Sequence, residues 1–321
     1  MNEDKYMTLR WATLFAGLVL VVAGSVVSIA GEQQSPGPTT AVQLIGLAGV
    51  KDGAKGTMSV ENGNLHFVHR KATSDVSATS IEDVVTGGDS QKAVGKTIGM
   101  ISMAAPYGGG RFLSLFRTKI DTLTIRYRDA DGGLHGAIFT MPVGKADGIK
   151  KELQSTSAHS APGESSEATS KSVSPSSQEE RKLKTWAIQV EMIESDEVSL
   201  PAEFQVALYE NLIRQLEKQG FQHVYRGGDR NATGIANLVV LHSTVRGFKE
   251  GSERARQVTT VSGATSITVH CQFSSPDGTS LLERDVNGKV RFFGGNLKAT
   301  YDFAKKAARV AHENLFSLDH E

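Results

Sequence analysis

One cysteine in 321 residues, Cys271, is too few for an internal disulfide and leaves no cysteine-rich zinc or iron–sulfur site. An excess of either charge is missing too. Lys and Arg total 35 against 35 for Asp and Glu, so no net field selects nucleic acid or anionic lipid as a partner. The nine histidines form no HExxH frame and no HxH pair, and spacing therefore nominates no metal ligands. No GxSxG occurs, which removes the nucleophile elbow of α/β-hydrolases. Serines are plentiful, but without a local frame none stands out as a nucleophile. These absences together predict a protein that is not an enzyme and needs no cofactor or metal.

What is present is ordinary globular chemistry. The chain is 39% hydrophobic, 7% aromatic and 22% charged, and its length predicts two domains. Trp11 to Ala30 carries no charged side chain, follows a polar start with Lys5 and Arg10, and ends in Ser28-Ile29-Ala30. That order reads as a signal peptide cleaved between Ala30 and Gly31. Twenty apolar residues also suffice to cross a bilayer, so the rival expectation is an uncleaved anchor with membrane contact through residues 11–30. On both readings the remainder works outside the cytoplasm, in the periplasm or envelope. No cysteine follows the apolar stretch to accept a lipid.

Gln154 to Lys182 is rich in Ser, Thr, Glu and Pro and lacks aromatics. It buries too little apolar area to offset chain ordering and is read as a disordered linker. The expected division is residues 1–30 as signal or anchor, 40–153 and 183–317 as domains, and 154–182 as linker. In the first domain, Met58–Val60 and Leu65–Val68 flank Asn62-Gly63, whose residues favour the positive φ angles of a type I′ turn. Leu123, Ile125 and Tyr127 alternate with Thr124 and Arg126, marking a half-buried antiparallel strand that pairs with Leu134–Met141. Phe112–Phe116 reads as a further strand, and Gly144–Leu153 as a short closing helix.

The second domain begins with an alternating strand, Lys184–Ile193, carrying Trp186, Ile188, Val190 and Met192 on one face. Ser199 and Pro201 open a helix in which Phe204, Leu208, Leu212 and Leu216 recur every fourth residue, ending at Gly220. Leu238–Val245 and Ser266–Phe273 are strands, Pro276-Asp277-Gly278 is a turn, and an amphipathic helix spans about Thr300–Phe316. The fold class is therefore α+β: a mostly antiparallel β domain with one closing helix, then a mixed α/β sandwich.

Two resemblances follow from these residues. Gly56–Val68, Ile81–Gly88 and the Leu123–Leu153 hairpin-plus-helix resemble the bacterial pleckstrin-homology-like fold. That fold hosts many functions and implies none. The helix ending Leu216-Glu217-Lys218-Gln219-Gly220-Phe221, the run Gly251–Arg256, Gly263-Ala264 and the Pro276–Gly278 turn resemble a family of exported bacterial domains of unknown function. Its plan is similar to the amino-terminal domain of the Tol-system propeller protein and to the curli secretion lipoprotein. Family members are often lipoproteins, and this chain departs from them in lacking the lipidated cysteine.

Few side chains suggest contacts. Gly108-Gly109-Gly110-Arg111 lacks the GxxxxGK[ST] spacing of a phosphate loop and reads as a turn into the next strand. Arg126 and Arg128 are two apart and can share a face on a strand edge; Arg254 and Arg256 can do the same if extended. Together with Arg111 these are the candidate anion or partner contacts. Cys271 lies in phase with Ile267, Val269 and Phe273 and is read as a core residue. The leading expectation is an exported envelope module that makes protein–protein contacts, with two domains on a tether. The alternatives are a binder of a small anionic ligand or lipid head group through the first domain, and a hydrolase whose site has no local signature. Oligomeric state is not written in the sequence.

Overall fold

The computed structural model describes residues 37–87, 120–159, 186–195, 198–221, 223–252, 263–290 and 295–316. The signal or anchor segment, Phe112–Phe116 and all but the start of the linker lie outside the described residues. Among the described residues no helix is long and apolar enough to cross a membrane. Two sheets and three α-helices among the described residues make the fold α+β.

The first sheet holds seven antiparallel strands. These are β1 (Thr39–Ile45), β2 (Ala54–Glu61), β3 (Asn64–His69), β4 (Ala72–Ser77), β5 (Ile81–Thr86), β6 (Ile120–Arg128) and β7 (Leu134–Pro142), in the order β4-β3-β2-β1-β7-β6-β5. The β2–β3 turn is the expected one, with Asn62 at φ 50° and Gly63 at φ 77°. Leu123, Ile125 and Tyr127 on β6 are buried as their alternation requires. Thr124 is buried as well, so the second face of β6 is covered at that point. Met58, Leu65, Phe67 and Phe139 form one buried core with Ile149 and Leu153 of helix α1 (Lys145–His159). The helix runs six residues further than its periodicity suggested, taking in the first residues of the presumed linker.

The second sheet has five strands: β8 (Ala187–Val190), β9 (His223–Arg226), β10 (Leu238–Lys249), β11 (Thr265–Ser274) and β12 (Ser280–Val290), ordered β12-β11-β10-β8-β9. β8 runs parallel to both neighbours, and helix α2 (Ala202–Glu217) is the crossover that this parallel pairing requires. Being central, β8 is buried on both faces, and of the described part of the strand expected over Lys184–Ile193, Ala187–Val190 is extended in the sheet. Pro201 sits at the N-cap of α2, where its carbonyl accepts from Phe204 and Gln205 N–H groups. Gly220 at φ 84° ends the turn that follows.

Helix α3 (Lys298–Leu315) packs beside α2 on the same face of the sheet through Ala299, Phe303, Ala304, Ala307, Ala308 and Ala311. The small residues let it approach closely: a Cβ on Gly288 of β12 would lie 2.2 Å from the Ala299 carbonyl oxygen. The opposite face of this sheet carries His242 and Thr244 of β10, Thr268, His270 and Gln272 of β11, and Asp285 and Asn287 of β12, all exposed or half-buried. They are linked by hydrogen bonds Thr268–Asn287 (2.7 Å) and His270–Asp285 (2.8 Å).

Candidate functional site

The two sheets share an interface, and its centre is a buried carboxylate. Glu210 lies on α2, is 1% exposed, and receives both terminal nitrogens of Arg226 from β9 at 2.7 and 2.9 Å. The same Oε1 accepts the backbone N–H of Gly136 on β7 at 2.9 Å. Arg226 also donates to the Leu134 carbonyl (3.0 Å), which accepts from the Tyr209 hydroxyl too (3.1 Å). The Tyr209 oxygen in turn accepts the Gly227 N–H (3.1 Å). Burial opposes the charge on Arg226, but the Glu210 carboxylate more than offsets it and holds the guanidinium pKa above its usual value. Burial pushes the Tyr209 hydroxyl upward, so it stays a neutral donor.

Backbone groups complete the joint. Leu134 N–H donates to the Gly227 carbonyl (3.1 Å) and Arg230 N–H to that of Asp131 (3.0 Å). Beside them Ile45 and Ile138 of the first sheet pack on Val206 and Ala207 of α2. Burying side chains of that size stabilises by about 1.5–3 kcal/mol each. Gly136 is required here, because a Cβ would lie 2.6 Å from Val206 Cγ1.

A cleft of ≈ 580 Å³ opens above this joint, between the loop Gly46–Asp52 and α2. Its walls carry Lys51, His135, Glu210, Arg214, Glu217 and Arg226. Asp52 of the loop pairs with Arg214 of the helix. His135 stacks on Tyr127, with ring centroids 5.1 Å apart, and its Nε2 lies 2.8 Å from Asp129 Oδ2. Burial, then the Arg226 charge, holds His135 below the ordinary imidazole value, so it is neutral at pH 7. Burial works against ionised Asp129, yet hydrogen bonds from His135 and the Gly133 and Asp131 N–H groups keep its pKa below the usual value. A neutral His135 therefore donates from Nε2, and its Nδ1 is a buried acceptor with no partner among the described residues.

The residues singled out from sequence fall elsewhere. Arg111, Arg254, Arg256 and the Ala30–Gly31 cleavage point lie outside the described residues. Arg126 and Arg128 do share a face, but β6 lies between β5 and β7 and is not an edge. Arg126 pairs with Asp83 (2.8 Å) and Arg128 with Glu82 (2.5 Å), both on β5. Arg128 also donates to the Gly132 carbonyl at 2.7 Å, so both cations already have partners. Cys271 is fully buried in the second core, where desolvation pushes its thiol to about 12. Among the described residues no group of three His, Cys, Asp or Glu is placed to hold a metal.

The joint and cleft residues were missed for a readable reason. Val206, Tyr209 and Ile213 make a second apolar stripe on α2, beside the Phe204–Leu216 stripe, and Glu210 stands inside it. A charged residue within a doubly covered helix signals a buried partner.

No family model matches the chain, and no curated protein matches it. Among solved structures it is similar to the PelC dodecamer from Paraburkholderia phytofirmans, at 12% identity over 40% of this chain and 88% of that one, with a TM-score of 0.30. It is also similar to an uncharacterized protein of known crystal structure, at 16% identity over 40% and 91%, TM-score 0.26. A candidate lipoprotein of Caulobacter crescentus matches at 12% identity over 40% and 88%, TM-score 0.23. Likenesses this weak place no function on the cleft.

Proposed function

We propose that the chain is an exported bacterial envelope protein, directed by residues 11–30, that works as a non-enzymatic binding or assembly module making protein–protein contacts. Its first half is pleckstrin-homology-like in this reading, with seven antiparallel strands closed by α1. The observation that carries the reading is the open face of the second sheet. His242, Thr244, Thr268, His270, Gln272, Asp285 and Asn287 spread across three strands of 10–12 residues, with His242, Asp285 and Asn287 exposed and the others half-buried. Protein interfaces of the non-obligate kind are about as polar as the surface around them, and a polar, hydrogen-bonded sheet face suits one. The anion-binding alternative loses support, because Arg126 and Arg128 are neutralised by Asp83 and Glu82.

The test is site-specific photocrosslinking in the intact cell envelope. A photoreactive residue at His242 gives a discrete adduct heavier than the monomer, whereas one at Lys71, on the turn between β3 and β4, does not. Monomer alone from both positions overturns the proposal.

A further inference from the structure

Charge on the open face of the second sheet is ordered along the strands. Pairing aligns β10, β11 and β12 in rows, and the row nearest the β10–β11 connection is Lys249, Ser266 and Lys289. Neither lysine side chain has an ion pair or hydrogen bond among the described residues. The second row holds Thr268 and Asn287, with Arg246 exposed in the adjoining register shift of β10. The third holds His270 and Asp285, and an isolated bridge to Thr244 adds Glu194. The fourth ends in Glu283. In a chain with 35 charges of each sign, one half of this face carries cations and the other half carboxylates.

A partner of one sign meets repulsion over half of such a face. A partner that matches all of it carries both signs in reverse order at the same spacing, and a second copy turned end for end does so. Two sheets packed face to face by symmetry have their two-fold axis in the plane between them. With the axis along the strands, each row meets its own kind and lysine faces lysine, which is destabilising. With the axis across the strands, between the second and third rows, the first row meets the fourth and the second meets the third. Lys289 of one copy then faces Glu283 of the other, and Asn287 faces Asp285, each twice as an isologous contact requires. The polar groups match as well. Asn287 accepts from the Thr268 hydroxyl through Oδ1, so its amide nitrogen is left to donate. Asp285 engages His270 through Oδ1, so Oδ2 is left to accept. Residues advance about 3.4 Å each along antiparallel strands, which puts Glu283 and Lys289 about 20 Å apart with the axis midway, so both ion pairs form at once. At about 4.8 Å between strands the patch is about 10 Å wide. The contact is therefore small, in the transient class below about 1,200 Å² in total.

We propose that the open face of the second sheet binds a second copy of this chain, face to face about a two-fold axis that crosses β11 at Val269. The proposal rests on the reading of this face as a protein-contact surface and gives that surface its partner. The association is reversible and salt-sensitive, because the pairs that set its register are exposed charges.

Sedimentation of the full chain in density-matched detergent, over a concentration series, tests it. The expected result is a monomer–dimer equilibrium that added salt weakens. Glu283→Lys and Lys289→Glu each set like charges opposite one another twice per dimer and raise the dimer Kd about tenfold or more, two exposed pairs being lost and reversed. An equimolar mixture of the two variants regains the dimer, because in the mixed pair every lysine faces a glutamate. The doubly reversed chain does the same. A parent chain with native circular dichroism that is monomeric at every concentration overturns the proposal. So does a dimer indifferent to both reversals, or a mixture no more associated than its components. Photocrosslinking at His242 keeps the two readings apart. An envelope adduct at a mass other than twice the monomer, with a monomeric purified chain, assigns the face to a different protein and overturns the second copy alone.

Discussion

Replacing Glu210 by alanine tests the joint most directly. The substitution leaves the Arg226 guanidinium buried without its counter-ion and the Gly136 N–H without its acceptor. Removing one partner of a buried ion pair costs about 3–5 kcal/mol, and an orphaned backbone N–H about 1–3 kcal/mol. The two overlap, because Arg226 still reaches the Leu134 carbonyl, so we expect about 3–5 kcal/mol in total. Replacing both Glu210 and Arg226 by leucine removes the stranded charge. The double variant should recover part of the loss, giving a coupling of about 1–3 kcal/mol, within the range for residues in one network. The readout is urea unfolding followed by Trp186, which is buried in the second core. Hydrogen exchange of β6–β7 and β10–β11 amides, measured together, reports whether the sheets open as one. In the parent chain both sets share one opening free energy; in Glu210→Ala the first sheet exchanges ahead of the second. A Glu210→Ala chain within about 0.5 kcal/mol of the parent, the range of an ordinary surface change, refutes the reasoning.

Other outcomes follow from single groups. Gln43 is fully buried on β1 with neither amide atom bonded, so Gln43→Met should stabilise by about 1–3 kcal/mol in thermal unfolding; a lowered Tm would show that a water or polar group serves the amide. His135 is held below its unfolded pKa of about 6.5, so its contribution is full above that value and is lost as pH falls from there through the lower folded value. His66 is shifted the other way by its hydrogen bond to Asp75, adding stability below pH 6.5 that is lost as pH rises through its folded value. Stability between pH 7 and 5 should therefore fall less in His135→Gln than in the parent; parallel curves would refute this. Gly136→Ala forces a Cβ to within 2.6 Å of Val206 and should cost about 1–3 kcal/mol by overpacking, most of it relieved in the Gly136→Ala/Val206→Ala double variant. A thiol reagent should label Cys271 only at the rate of unfolding, and fast labelling at pH 7.5 would contradict its burial.

Local order was legible wherever one residue type dictates a backbone state. Asn62-Gly63 announced its hairpin, the four-residue recurrence of Phe204 to Leu216 announced α2, and the phase of Cys271 with Val269 and Phe273 placed it inside. Central and short strands were less legible. Trp186, Ile188 and Val190 alternate along β8 and the residue before it, but being central and parallel the strand also buries Ala187, which the alternation assigns to the open face. β9 is four residues long, and its parallel pairing with β8 and the Glu210 contact of Arg226 reveal it. The cleft was illegible because its groups come from residues 46–52, 135, 210–217 and 226. Only tertiary pairing decides that Arg226 meets a buried Glu210, while Arg126 and Arg128, equally charged, pair at the surface with Asp83 and Glu82 of β5.

The joint also orders events in time. Gly136 and Glu210 are 74 residues apart in the chain, and synthesis proceeds at about 5–20 residues per second. For about 4–15 s, at those rates, β7 exists before the helix that accepts its N–H group and covers Ile45 and Ile138. During that interval the first sheet offers an open seam of apolar side chains and unmet backbone groups. A holding chaperone that recognises such a seam has its target there, and that target disappears when α2 arrives.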